Sequence, residues 1–342
     1  MRGPLLTLAM LWTAPRAVAQ PADEVNLVFA GDIMLDELPG EAIARGEDPF
    51  AAVASLLDGA DLAVGNLECV VAEGGKAVDK QFTFRAHPLV LDVAARHFAA
   101  VSLANNHSAD FGAAGLLQTM DRLRAARVQF FGAGKNLGEA HRPLMVERKR
   151  VRVALLGYNE FQPRWFEAGP STPGVAWSED EQILRDMKTA RSAGAHIVIP
   201  VIHWGWEHET VPRPRQRELA RALIDAGADA VIGGHPHVTQ GAEIYRGKLI
   251  LYSLGNLVFN GFDSQEANTG WLLNLTLDRR GVRHWHTTVV RLDERGLPRV
   301  DAVAASPCGD ARSEKIRSCA VAAQGRSVAG QAHPGRAPAQ RR

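Results

Sequence analysis

From Val25 onward the apolar positions fall into two alternating patterns, short runs closed by Gly or Asn and longer stretches with helical spacing. Val25-Asn26-Leu27-Val28-Phe29-Ala30 predicts a buried strand, broken by Gly31-Asp32. A second strand is expected at Leu62-Ala63-Val64, ending in Gly65-Asn66-Leu67-Glu68, and a third at Ala100-Val101-Ser102-Leu103. Helical spacing occupies Phe50 to Leu57, started by Asp48-Pro49, and then Leu89 to Phe98 and Ala113 to Ala126. Leu144 to Leu156 predicts a strand pair around the basic turn Arg148-Lys149-Arg150. A helix is expected from Glu179 to Ala193 with Ser178 as its cap, followed by a β-branched strand from His196 to Ile202. A further helix at Arg215 to Ala226 precedes strands at Ala230-Val231-Ile232 and Leu249 to Ser253. Near residue 270 the pattern changes. Trp271 to Leu277 and Arg283 to Leu292 alternate apolar and polar residues around Arg279-Arg280-Gly281, as an antiparallel hairpin does.

Strand–helix alternation that ends in hairpin strands predicts an α/β sandwich with mixed sheets, in one domain spanning roughly 24–300. Residues 306–342 are rich in Ala, Gly, Pro, Gln and Arg and are expected to form a largely disordered tail. At the other end, Arg2, the apolar run Leu5 to Trp12 and the small residues Ala17-Val18-Ala19 predict a signal peptide over 1–19, cleaved before Gln20. That run is shorter than the ~20 residues needed to span a bilayer. The protein is therefore expected to be exported, periplasmic or extracellular, and membrane-associated only if the signal is retained. Removing 1–19 takes Arg2 and Arg16 and no acid, so the 39 basic residues become 37 against 38 acidic ones. Such a balance gives no electrostatic basis for binding nucleic acid. An oxidising compartment allows Cys308 and Cys319 to pair, leaving Cys69 as a lone thiol; three cysteines make no disulfide framework.

Metal-capable side chains fall at nearly every strand end, where α/β sheets form their ligand sites. Asp32 follows the first strand, Asn66 and Glu68 the second, Asn105-Asn106-His107 the third, His203 a later one, and Gly234-His235-Pro236-His237 another. Taken singly, an Asp is a turn former, an Asn holds loop backbone, and His203 is as readily a core histidine as a ligand. Two imidazoles in a Gly-rich turn serve no packing need, however, and in a turn both can face one cavity and serve two ions. Carboxylate, amide and neutral imidazole donors together suit divalent Mn, Zn or Fe, in a site for two ions.

These residues resemble, in order, the motifs of the calcineurin-like metallophosphoesterases, and more narrowly the CapA family of capsule (poly-γ-glutamate) synthesis proteins. Gly31-Asp32-Ile33-Met34, Gly65-Asn66-Leu67-Glu68, Phe84-Arg85-Ala86-His87-Pro88, Asn105 to Gly112, His203 to Glu207 and Tyr252 to Asn256 carry the likeness. The resemblance covers about 26–275 and implies a four-layer αββα sandwich with two mixed β-sheets. It also implies Asp32, Glu68, Asn106, His203, His235 and His237 as metal ligands, with His107 and Asp110 as the catalytic pair. Asn66, Arg85 and Glu207 are the candidate substrate contacts. Lys80 is a further cation for carboxylate or phosphate binding, unless it is surface charge. Trp165, Trp204 and Trp206 either wall a cleft or pack the core. Phosphoesterases of this fold carry a His where this chain has Met34 and a bridging Asp where it has Asn66, so Glu68 is the replacement on offer.

The function expected is that of an exported metal-binding protein in the synthesis, export or anchoring of an anionic polymer such as poly-γ-glutamate, possessing a metal-dependent hydrolase site. Its expected partners are an anionic polymer or peptide substrate and capsule-synthesis membrane proteins. The rival expectations are a phosphoesterase, a peptide-modifying enzyme that hydrolyses or epimerises, and a scaffold with a decayed metal site.

Overall fold

Alternate residues of the first strand, Val25–Ile33 (β1), serve two different cores. Val25, Leu27 and Phe29 point one way, while Val28, Ala30 and Ile33 join a second cluster. The computed structural model describes residues 23–310, 313 and 315–320, so the signal sequence expected at 1–19 lies outside the described residues. β1 is parallel to Leu62–Leu67 (β2), which is followed across the sheet by Ala100–Ser102 (β3) and Gln129–Phe131 (β4), all parallel. A second sheet contains Leu144–Arg148 (β5), Val151–Asn159 (β6), Ile197–His203 (β7), Ala230–Gly234 (β8), Thr239–Tyr245 (β9) and Lys248–Leu254 (β10). Its order is β9-β10-β8-β7-β6-β5, parallel in the middle and antiparallel at both edges. The first sheet continues on the far side of β1 through the antiparallel hairpin Thr269–Asp278 (β11) and Gly281–Leu292 (β12).

The inward residues of both sheets make one apolar slab. Leu27, Val64, Leu275 and Trp285 from one side meet Val153, Ile199, Ile232 and Leu251 from the other. The outer face of the first sheet is covered by Glu37–Ala44 (α1), Val90–His97 (α2) and Gly112–Ala125 (α3), whose Ile43, Val90 and Leu116 pack into its cluster. Asp180–Ser192 (α4) and Pro214–Asp225 (α5) cover the second sheet with Ile183, Met187, Leu219 and Leu223. The fold is thus a four-layer αββα sandwich with two mixed β-sheets, as expected from the sequence.

Four local expectations change. The helix expected over Phe50 to Leu57 is a turn followed by the short helix Ala54–Asp58, because Asp48 accepts the Phe50 N–H and Phe50 is drawn into the core. α1 is an addition to the expected elements, since Pro39 and Gly40 are poor helix formers; Pro is tolerated there because the first turn has no N–H partner to lose. Ser178 does not cap α4: its hydroxyl donates to Glu160 and the helix starts at Asp180. The tail expected over 306–342 contains paired strands where it is described, and residues 321–342 lie outside the described residues. Ser306–Asp310 (β13) pairs with β12, and Arg317–Cys319 (β14) pairs with β13. A Cys308–Cys319 disulfide joins the two, so the predicted domain end at 300 falls short of the last paired strand. Backbone pairing at a sheet edge leaves little trace in composition. Cys69 is free and fully buried, and burial pushes its thiol up to about 12, so it is inert rather than reactive.

Leu275 is fully buried between the sheets, where no side chain can move to fill a void cheaply. Leu275→Ala is expected to cost about 2–5 kcal/mol in a urea unfolding experiment, through lost burial plus the cavity left behind.

Candidate metal centre

The carboxyl ends of β1, β2, β3, β7 and β8 meet at one edge of the sandwich. Register does much of the positioning: Asp32 lies opposite Asn66 on the neighbouring strand, and His203 lies opposite Gly234. Two glycines allow the sheets to close here. A Cβ on Gly31 would lie 1.9 Å from the Gly255 carbonyl oxygen, and one on Gly233 would lie 2.0 Å from that of Tyr252. After β8 the chain turns through His235 at φ +96 and His237 at φ +56, backbone that non-glycine residues seldom adopt. The strain turns both imidazoles into the same space, their ring centroids 5.9 Å apart.

Glu68 is the centre of the cluster. It is fully buried, and His203 Nε2 lies 3.5 Å, and His237 Nε2 and His107 Nε2 each 4.0 Å, from its Oε1. Glu68, His203 and His235 offer donor atoms that all lie within 4.8 Å of one another, and so do Asp32, Glu68 and His237. Glu68 is shared by both groups, while His235 and His237 divide between them, as an extended His-x-His could not. Asn106 joins through Oδ1, 2.8 Å from His203 Nε2.

The donor atoms behave as ligands do. Both carboxylate oxygens of Glu68 and Nε2 of His235 are buried without a hydrogen-bond partner. Orphaned polar atoms at this depth are costly and rare, which fits a group that a divalent ion would satisfy. Burial, reinforced by Asp32, drives the Glu68 carboxyl well above its ordinary value in the ion-free chain. Burial holds the His203 imidazole at about 4 and pushes His235 well below its usual range, so both are neutral lone-pair donors at physiological pH. Burial would depress His237 as well, but the charges of Glu68 and Asp32 raise it.

A surrounding set of amides fixes the donors. Asn66 donates to Asp32 Oδ1 at 2.8 Å, lies 3.3 Å from His203 Nδ1, and accepts from Asn105 at 2.9 Å. Its amide is thus spent within the cluster rather than offered to a substrate. Asn256 donates to the His237 and Ala267 carbonyls, which leaves its Oδ1 to face His237 Nδ1 at 2.9 Å and aims Nε2 towards Glu68. Met34, standing where related folds carry a ligand, is buried in the apolar layer below.

His107 enters from the loop after β3, and Asp110 Oδ2 lies 2.7 Å from its Nδ1. Lys80, expected to be a free cation, is turned inward instead. It donates to Asp110 Oδ1 and to the Asn106 carbonyl, both at 2.8 Å, with His107 Nδ1 at 3.1 Å. Burial, with Lys80 adding to it against the pull of Asp110, holds the His107 imidazole at about 4. Arg85 is exposed and lies over the Phe111 ring, outside the cluster. Glu207 lines the cleft above it. Of the three tryptophans, Trp204 is core, its indole donating to the Tyr252 carbonyl, whereas Trp165 and Trp206 are exposed.

Three contributors escaped the sequence expectations. Asn256 lies two residues beyond the end of β10, and the strand-end rule that found the ligands, applied one motif further, would have found it. Asn105 reads as a turn residue in the sequence but braces both Asn66 and the His107 loop. Phe161 covers His235 at a ring-centroid distance of 3.7 Å, and nothing in its neighbourhood announces that role.

Residues 26–261 match the family described as bacterial capsule synthesis protein PGA_cap. The PGA biosynthesis protein CapA of Bacillus subtilis (strain 168) is 30% identical over 300 residues, which cover 85% of this chain and 78% of that protein. The capsule biosynthesis protein CapA of Bacillus anthracis is 31% identical over 271 residues, 75% of this chain and 66% of that one. Among solved structures, a hypothetical protein from Thermus thermophilus aligns over 77% of this chain and 98% of its own, with a TM-score of 0.50 at 16% identity, a likeness of fold.

Metal quantification after manganese or zinc loading is expected to show that Glu68→Gln and His235→Ala each bind at least one ion fewer than wild type. Unchanged occupancy in both would remove the metal centre. Without metal the sign reverses for stability. A carboxyl raised in the folded state stabilises fully below its unfolded value of about 4.3, and that contribution is lost as pH rises through the raised value. Metal-free Glu68→Gln is therefore expected to exceed metal-free wild type at pH 8 by on the order of 1–3 kcal/mol, with the gap closing towards pH 4.

Proposed function

This chain belongs to the bacterial capsule synthesis protein PGA_cap family, and from that premise we propose that it is an exported metal-binding protein that processes an anionic capsule polymer of the poly-γ-glutamate kind during its synthesis, export or anchoring. The observation that carries a catalytic role is Glu68, a buried carboxylate shared by two ligand groups with neither oxygen satisfied. The chemistry that divalent ions supply at such a site is Lewis acidity towards a carbonyl or phosphoryl oxygen and easier deprotonation of water. Asp32, Glu68, Asn106, His203, His235 and His237 would hold them.

The chain's own residues supply the rest. His107 stands at the edge of the cluster with its Nδ1 side anchored by Asp110 and its Nε2 4.0 Å from Glu68 Oε1, and its side chain also lines the cleft, the arrangement of a proton-transfer group. Held at about 4 in the ion-free chain, the imidazole is neutral at physiological pH. Lys80 ties Asp110 and the Asn106 backbone together, so the ligand loop and the proton-transfer pair are one unit. Phe161 shields His235 from water on the other side.

A second reading, a phosphoesterase, is favoured by the position of Glu68. The side chain that stands in for the missing bridging Asp lies between both ligand groups, so the substitution at Asn66 does not by itself abolish a two-ion site. The two readings separate in one experiment. Manganese- or zinc-loaded protein is incubated with poly-γ-glutamate, followed by size-exclusion chromatography, and in parallel with p-nitrophenyl phosphate. Metal-dependent shortening of the polymer, falling about 100-fold or more in His107→Ala, is the expected result. Efficient aryl phosphate turnover with the polymer neither bound nor changed would replace the capsule reading with the phosphoesterase one.

A further inference from the structure

Above the ligand cluster opens a cleft of about 350 Å³, and its walls carry a chemical signal of their own. Phe82, Phe84, Phe259 and Phe262 line it, with His107 and His237 also reaching it. Three of these rings brace one another: Phe259 meets Phe84 edge-on at 5.6 Å and Phe262 at 5.4 Å, while Phe82 stands 57% exposed at the rim. The carboxylates on the walls are Glu37 and Glu207, both exposed. Among the described residues that line the cleft there is neither lysine nor arginine. The two cations nearest in sequence are committed elsewhere, Lys80 to Asp110 and Arg85 to the face of Phe111. Glu37 also sits at φ +47, left-handed backbone that a glutamate seldom adopts.

We propose that this cleft receives the amino end of a peptide polymer, its α-ammonium group held by Glu37, Glu207 and the phenylalanine faces. The proposal rests on the capsule-polymer reading above and adds the polarity of the chain to it. A γ-linked glutamate chain offers three kinds of residue. Interior residues carry a free carboxylate, the carboxyl end carries two, and the amino end pairs its carboxylate with an ammonium. The first two bring only negative charge against Glu37 and Glu207. The third alone brings a cation, which both carboxylates attract and which aromatic faces bind through their quadrupoles. Carboxylates at the wall that favour one terminus over the body of the polymer select chain ends, so the protein acts on or holds the polymer at its tip.

The test is isothermal titration of the manganese-loaded full chain with a short γ-linked glutamate oligomer, beside the same oligomer acetylated at its amino end. Wild type is expected to bind the free amine at least about tenfold more tightly. In a Glu37→Gln, Glu207→Gln variant, with its melting temperature checked against wild type, that preference is expected to fall to near unity. Equal affinity for both oligomers in wild type overturns the cleft assignment and leaves the capsule reading standing. A preference that survives the double substitution also overturns it, because the amine is then read elsewhere. Binding of neither oligomer removes the capsule reading, and the assignment falls with it.

Discussion

A buried carboxylate that nothing in the chain satisfies sets the terms for the rest of this structure. Glu68 lies beyond the end of β2 with both oxygens unpaired and three imidazole nitrogens within 4.0 Å of one of them. No sandwich of this size needs such a group for stability; burying it costs free energy that packing elsewhere must offset. Its surroundings fit a divalent cation. Imidazoles, an aspartate and an asparagine oxygen converge, and an outer ring of asparagines holds their orientations. The left-handed turns at His235 and His237 belong to the same account, since relaxed backbone would not bring both rings to one cavity.

The strands and helices of the fold were legible in the sequence because each has a periodic signal, whereas the four-layer arrangement was implied by the family resemblance. Residues alternate between inter-sheet core and helix-facing core along β1, β6 and β7, and the late hairpin strands alternate more strongly still. What was not legible lacked period. α1 runs through Pro39 and Gly40, and β13 and β14 are held by backbone pairing and a disulfide in a segment whose composition reads as tail. The ligand cluster was legible for another reason: strand ends are where such sites form, and chemistry-bearing side chains at five of them are hard to attribute to turns alone. The supporting residues were harder to see. Lys80 looked like surface charge because sequence carries no record of which way a loop lysine turns, and Phe161 touches His235 only through tertiary packing.

The two departures from the phosphoesterase pattern look different in three dimensions. Met34 fills apolar space beneath the cluster and leaves no hole where an imidazole is wanted. Asn66 keeps a position beside Asp32 and His203, but as a brace, its amide donating to Asp32 and lying against His203 Nδ1. Glu68, two residues along, is shared by both candidate ligand groups and would supply the carboxylate that Asn66 does not, while the position of Met34 stays apolar. That change of donors, together with a cleft walled by phenylalanine and glutamate, favours the capsule-polymer reading over the phosphoesterase one.

The donors divide evenly between the sheets. Asp32, Glu68 and Asn106 come from the β1, β2 and β3 side, and His203, His235 and His237 from the β7 and β8 side. Neither half could hold an ion well alone, so a divalent ion bound there would act as a rivet, its ligands tying together two halves that the apolar slab already holds against each other.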